Sequence, residues 1–194
     1  MKNVAVVCVL ALAAVGWARL KEHQGLDLQV TPAQTLNLQL SSGDYRIEAG
    51  AADRLIIISQ DSEQQQSSRP RFGLDTSPGE ASIKVEGPKN YAALIQVPRT
   101  STLRVRLEGG RLRVDGINGD KDIESNAGTV MIDMGKPEDY AHVEASVDVG
   151  HIDAAPFRIA QDGFERSFKR RGPGRYRLHA HVGTGKIMLV AGGT

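Results

Sequence analysis

The chain has 194 residues, with 24 lysines and arginines against 23 aspartates and glutamates, 21 glycines and 5% aromatics. That length suffices for one good core, whose volume must come from Val, Ile and Leu, each worth about 1.5–3 kcal/mol when fully buried. Setting aside Lys2, which lies in a leader segment, leaves 23 cations against 23 anions, and a balanced chain lacks the basic footprint expected of a nucleic-acid binder.

The first eighteen residues read as a secretory signal peptide. Lys2 is the positive start, Val4 to Val15 the apolar run, and Gly16-Trp17-Ala18 sets small residues where a signal peptidase reads. The run is shorter than the roughly 20 residues that span a bilayer, so cleavage after Ala18 is expected, with a retained anchor as the alternative. The expected location is periplasmic, cell-surface or secreted. Cys8 is the only cysteine and lies in this segment, preceded by Val7 with little chain ahead of it, which does not make a lipoprotein signal. The mature chain then offers no disulfide, thiol nucleophile or Cys-based zinc site.

From residue 19 to 194 a single domain is expected. Five stretches share one pattern around a glycine: LNLQLSSGDYRI (36–47), LRVRLEGGRLRV (103–114), KDIESNAGTVMI (121–132), VEASVDVGHIDA (143–154) and LHAHVGTGKIML (178–189). Taking Gly43, Gly110, Gly128, Gly150 and Gly185 as origin, positions −5, −3, +2 and +4 are small or apolar in nearly every copy, Ser125 and Tyr45 being the exceptions. Polar residues such as Arg104, Arg106, Glu124, Glu144, His179 and His181 alternate with them, the period-2 mark of strands with one dry face. The step from −3 to +2 is odd, so the inward face must change phase at the glycine, a residue suited to a bulge or sharp bend. A short internal repeat of strand units predicts stacked rungs. No segment after residue 20 shows helical periodicity over three turns. The expected fold is all-β, a single-domain β-solenoid (β-helix-like) stack with few or no long helices.

Between the copies, Leu55 to Ile58 is a short apolar run, and residues 60–71, with Gln64-Gln65-Gln66, form a polar loop. Ala81 to Glu86 and Ala92 to Val97 alternate like strands, and Pro98 closes the second. A second interruption, 155–175, separates the last two copies. Both interruptions are either functional loops on a rigid scaffold or tolerated insertions. The second carries the one basic cluster, Arg166, Lys169, Arg170 and Arg171, continued by Arg175 and Arg177 and interleaved with Phe164, Phe168 and Tyr176. It is a candidate surface for an anionic glycan, lipid headgroups or a partner protein, or else a solvated connection turning at Gly172-Pro173-Gly174.

Other motif fragments lead to no site. Gly183-Thr184-Gly185-Lys186 has Ile187 where a phosphate loop needs Ser or Thr, and it enters a strand. Asp115, Asn118, Asp120, Asp122 and Glu124 do not follow the EF-hand order and read as a turn. His179 and His181 share a strand face about 7 Å apart, and His151 is one guess for a third ligand, but exposed strand histidines need no metal. No nucleophile elbow or metalloprotease helix is present. The residues thus point to no catalytic, cofactor or metal site.

Leu94 to Asp133, with Val97-Pro98, Thr102-Leu103 and the glycine run Gly110 to Gly119, followed by the Gly128 and Gly150 units and Gly172-x-Gly174, resembles the bacterial β-strand-repeat family of unknown function labelled "putative adhesin". Gly116-Ile117-Asn118 is similar to the head domains named for that tripeptide. The resemblance covers nearly all the mature chain and implies a β-solenoid-like fold in an exported protein, with no catalytic or ligand residue to carry over. Lys121, in a usually apolar row, and the basic insertion before Gly172 depart from the pattern. The expected function is a non-enzymatic binding, adhesion or envelope scaffold module whose partner is a protein or glycan at the cell envelope. A glycan-acting enzyme or an envelope-stress partner is the alternative.

Overall fold

Alternation of apolar and polar residues turns most of the chain into strand. The protein, seen in a computed structural model, is described over residues 19–21, 25–60, 69–88 and 90–192. The proposed signal peptide (1–18) and the centre of the polar run lie outside the described residues. The strands are β1 (Arg19–Lys21), β2 (Gly25–Gln29), β3 (Thr35–Leu40), β4 (Gly43–Ala49), β5 (Arg54–Ser59), β6 (Arg71–Ser77), β7 (Glu80–Glu86), β8 (Tyr91–Val97), β9 (Thr102–Leu107), β10 (Gly110–Asp115), β11 (Lys121–Asp133), β12 (Tyr140–Ala154), β13 (Ile159–Arg171) and β14 (Tyr176–Val190). Two three-residue 3-10 turns, Pro137–Asp139 and Ala155–Phe157, are the helical elements among the described residues.

All fourteen strands belong to one sheet that nearly closes into a barrel. The five repeat glycines lie side by side: Gly43 pairs with Gly110, Gly110 with Gly128, Gly128 with Gly185, and Gly185 with Gly150, all in parallel ladders. The phase change expected at the glycine is present. Leu40, Leu107, Ser125, Val182 and Val147 before it and Tyr45, Leu112, Val130, Ile187 and Ile152 after it are all buried. The long strands β11, β12 and β14 therefore bend at this line, and the halves on either side face each other across one core. Gly110, Gly128, Gly150 and Gly185 take positive φ there, between 106° and 147°, a region that side chains rarely enter.

Three expectations are corrected. First, a solenoid would stack its copies in chain order, but the last copy, β14, is inserted between β11 and β12. The repeat appears as in-register parallel strands within one nearly closed sheet, and a solenoid is not confirmed. Second, β7 and β8 form a sixth copy, since Ile83 pairs with Leu38 and Tyr91 pairs with Gly43. Third, the interruption at 155–175 is not a loop. Ile159–Arg171 is a strand, antiparallel to β12. It borders the barrel's open side and buries only Phe168, so it lacks the apolar alternation that marks the others.

Lys121 occupies position −7, where the other copies place the buried Leu36, Leu103, Leu178 and Val143, and it is itself only 1% exposed. Its Nζ donates to the carbonyls of Ile117 (2.8 Å) and Gly119 (3.0 Å) and to the Tyr140 hydroxyl (2.6 Å). Its three protons thus have three acceptors, which a buried ammonium requires. The lysine ties the turn before β11, whose Ile117 plugs the end of the core, to the start of β12. Burial pushes the ammonium pKa down to about 8, with Asp120 and Asp133 opposing. Burial also raises the Tyr140 hydroxyl above its ordinary value, reinforced by Asp133.

Between about pH 8 and 10.5 the unfolded chain holds the lysine proton that the folded chain has released, so rising pH favours folding. Above pH 10 the tyrosine reverses the trend, because the unfolded chain then loses its phenolic proton first. Urea unfolding from pH 8 to 10 is expected to show this lysine adding about 2 kcal/mol. The comparison with Lys121→Met isolates the increment: the variant loses that rise. Parallel pH profiles for the two proteins would contradict the assignment.

Candidate functional site

The same alternation that buries −5 and −3 sends −6 and −4 to the outer face. In the sheet these positions line up across strands. One row runs Arg104, Asp122, His179, Glu144 and Lys169, and the next runs Arg106, Glu124, His181, Ser146 and Ser167. In the first row fixed cations and carboxylates alternate around the histidine, and in-register strands hold every member at a set spacing.

The contacts are specific. Arg106 bridges Asp122 (Nη2 to Oδ2, 3.0 Å) and Glu124 (Nε to Oε2, 3.0 Å). His179 Nδ1 lies 3.0 Å from Asp122 Oδ1. His181 Nδ1 lies 3.0 Å from Ser146 Oγ, and its Nε2 is 3.8 Å from Asp148. Glu144 accepts from Lys169 (2.8 Å) and faces His142 at 3.5 Å. Partial burial alone would raise the Asp122 carboxyl, but the His179 hydrogen bond and the Arg106 guanidinium outweigh it and hold the group below the ordinary carboxylate range. The Lys169 hydrogen bond does the same for Glu144.

Arg106 and Glu124 also form one wall of an open groove of about 460 Å3 that crosses β7, β3, β9 and β11, with Gln39, Lys84, Glu86 and Glu108 on its other walls. Platform and groove are therefore continuous. The groove lining carries amides, a hydroxyl, carboxylates and cations over Leu40, Val85 and Leu107, and among the described residues no aromatic ring.

The sequence candidates fall differently. His179 does meet a second and third possible metal ligand, Asp122 and Glu124, all within 4.8 Å of one another. The Arg106 guanidinium already compensates both carboxylates. His151 is not part of this group; it sits on the other half of β12, 2.5 Å from Asp162. The six cations read as one cluster do not share a face. Arg166 and Arg170 stand opposite the core residues Val147 and Val143, while Lys169 and Arg171 stand opposite the outward Glu144 and His142. Arg170 lies over Phe157 (5.4 Å), Arg175 over Tyr176 (4.7 Å), and Arg177 faces the platform row beside His142. Asp122 and Glu124, which the sequence reads as part of a turn, lie instead on β11 at the −6 and −4 positions of the repeat.

No protein-family model matches the chain, and no curated protein does. Among solved structures, a crystal structure of a "putative cell adhesion protein" from Clostridium sporogenes is similar, with a TM-score of 0.53 and 15% identity, covering 85% of this chain and 97% of that one. At that identity the likeness is one of fold. Among the described residues no helix is long and apolar enough to cross a membrane.

If His179 and Arg106 hold the Asp122 carboxylate as described, His179→Ala and Arg106→Ala each raise its pKa toward the ordinary value. Both variants are expected to move it in that direction, and carboxyl-carbon NMR titration reads the shift directly. An Asp122 titration unmoved in both variants would overturn the network.

Proposed function

We propose that the protein is an exported, non-enzymatic binding module of the adhesion kind, which engages a glycan or other polar component of a cell envelope through the outer platform and its groove. Export rests on the first eighteen residues. The observation that carries the binding reading is the pair of in-register charged rows opening into a continuous groove rich in donors and acceptors. Such a surface suits a hydroxyl-rich ligand held by many modest hydrogen bonds, and repeated presentation on a cell would raise the avidity. The fold likeness to a protein described in adhesion terms points the same way.

A glycan-cleaving reading is favoured by one feature, the presence of Glu86, Glu108 and Glu124 in the same groove. A cleavage pair needs one carboxyl kept protonated, whereas the hydrogen bond from Lys84 holds Glu86 below the ordinary range and Arg106 binds Glu124 at 3.0 Å. Of the three, Glu108 alone has neither contact, and a single such carboxyl does not make the pair, so binding without cleavage is proposed.

On a glycan array and on whole cells the chain is expected to be retained. Arg106→Ala with Glu124→Ala should weaken retention at least tenfold, while Arg54→Ala, on the remote β5, leaves it unchanged. No retention above a surface-scrambled control would refute the binding reading, and release of new reducing ends would replace it with the enzymatic one.

A further inference from the structure

The second surface of interest is the outer edge of β13. Its backbone pairs with β12 on one side, and among the described residues no strand lies on the other. The strand bends at Glu165, which takes positive φ and drops out of the ladder with β12, and beyond that bend it presents a row of backbone donors and acceptors that another chain can pair with. Natural sheets commonly blunt such edges with charge, and β13 is heavily charged. Arg166, Lys169, Arg170 and Arg171 stand against Asp162 and Glu165, with the positive charge in the second half. At the start of that half Phe164 is 74% exposed, and Val149, directly across the ladder, is 40% exposed. These two are among the few large apolar side chains left on the described surface.

The charge decides which occupant this edge accepts. A second copy would lay one arginine-rich strand against another, and like charges directly opposite are destabilising. An acidic extended segment meets the same cations favourably while completing the backbone ladder. We infer that the second half of β13, from Phe164 to Arg171, is a docking edge for an acidic, extended segment of a partner protein, added to the sheet as a further strand. Main-chain hydrogen bonds supply affinity in this mode of recognition, and alternate side chains supply specificity. Arg171 faces outward beside the platform, as does Lys169, which pairs with Glu144; Arg166 and Arg170 lie on the opposite face, over the Asp162 carbonyl and Phe157, and Phe164 with Val149 offers a seat for one apolar residue of the incoming strand. This inference goes beyond the platform's proposed ligand and does not depend on it.

Fluorescence anisotropy with a labelled octapeptide of alternating Thr and Glu tests it. Binding to the chain is expected, with no binding by the same peptide carrying Lys for Glu. Methylating alternate backbone nitrogens of the peptide, which leaves the protein untouched, should weaken binding at least tenfold. So should Arg166→Glu with Arg171→Glu in a protein whose circular dichroism is unchanged. Amide NMR shifts on binding should concentrate on 164–171. Equal binding by the methylated peptide would reduce the effect to bare charge attraction and overturn the proposal, as would shifts centred elsewhere. A dimer of the chain alone that Phe164→Ser dissolves would assign the edge to a second copy instead. Retention on glycans is a separate readout, so failure here leaves the platform reading standing.

Discussion

Strands that pair in parallel and all bend along one line bring their backbones into conflict at the bend. A Cβ built at Gly110 would collide with the Gly43 carbonyl, one at Gly128 with that of Gly110, one at Gly185 with that of Gly128, and one at Gly150 with that of Gly185. The collisions all run in one direction along the stack, so each glycine leaves room for the carbonyl of the preceding strand. A Cβ at Gly43 would meet the carbonyl of Tyr91. Tyr91 itself begins the series, and its further neighbour, β5, runs antiparallel. Among the described residues no parallel strand lies beyond it to need the space, so the position can carry a ring, which is buried and packs edge-on against Tyr45 at 5.9 Å.

Everything else in the fold follows from this line. Because the inward face changes phase there, apolar rows on both sides reach one core, and the outward positions become two straight charged rows. The rigid ladder that buries Ile123 and Ala180 also sets Asp122 beside His179. At the core's end, where one copy has Lys121 instead of an aliphatic residue, the carbonyls of the preceding turn and the Tyr140 hydroxyl receive its protons. Surface chemistry and core packing are thus two readings of the same register.

Much of this register is legible in the residues. The four apolar rows, the glycine origin and the odd character of Lys121 are visible by laying the copies together. The stacking order is not, because near-identical glycine units do not say which will be neighbours, and β14 reaches its place only after β13 has been made. The copy containing Tyr91 is hidden by the loss of the glycine and by the Gly87-Pro88 break between its halves. Strand β13 is hidden because a strand that buries one side chain has no reason to alternate. The charged rows stand at repeat positions −6 and −4, yet the partnership of Asp122 with His179 requires knowing that β11 lies against β14. Lys121 could likewise be recognised as anomalous, but one of its three acceptors, the Tyr140 hydroxyl, lies 19 residues away in sequence.

The claim that absent Cβ atoms permit the stack is tested most directly by urea unfolding of Gly128→Ala beside Gly79→Ala. Gly79 also has positive φ, at 82°, but a Cβ there meets nothing within 4 Å, whereas Gly128 combines a φ of 121° with the Gly110 carbonyl. The control should lose about 1 kcal/mol, the ordinary strain of a side chain at positive φ. Gly128→Ala should lose at least about 3 kcal/mol, strain and displacement of a neighbouring strand together. Equal losses in the two variants would contradict the account, because the glycine line would then reflect backbone conformation alone.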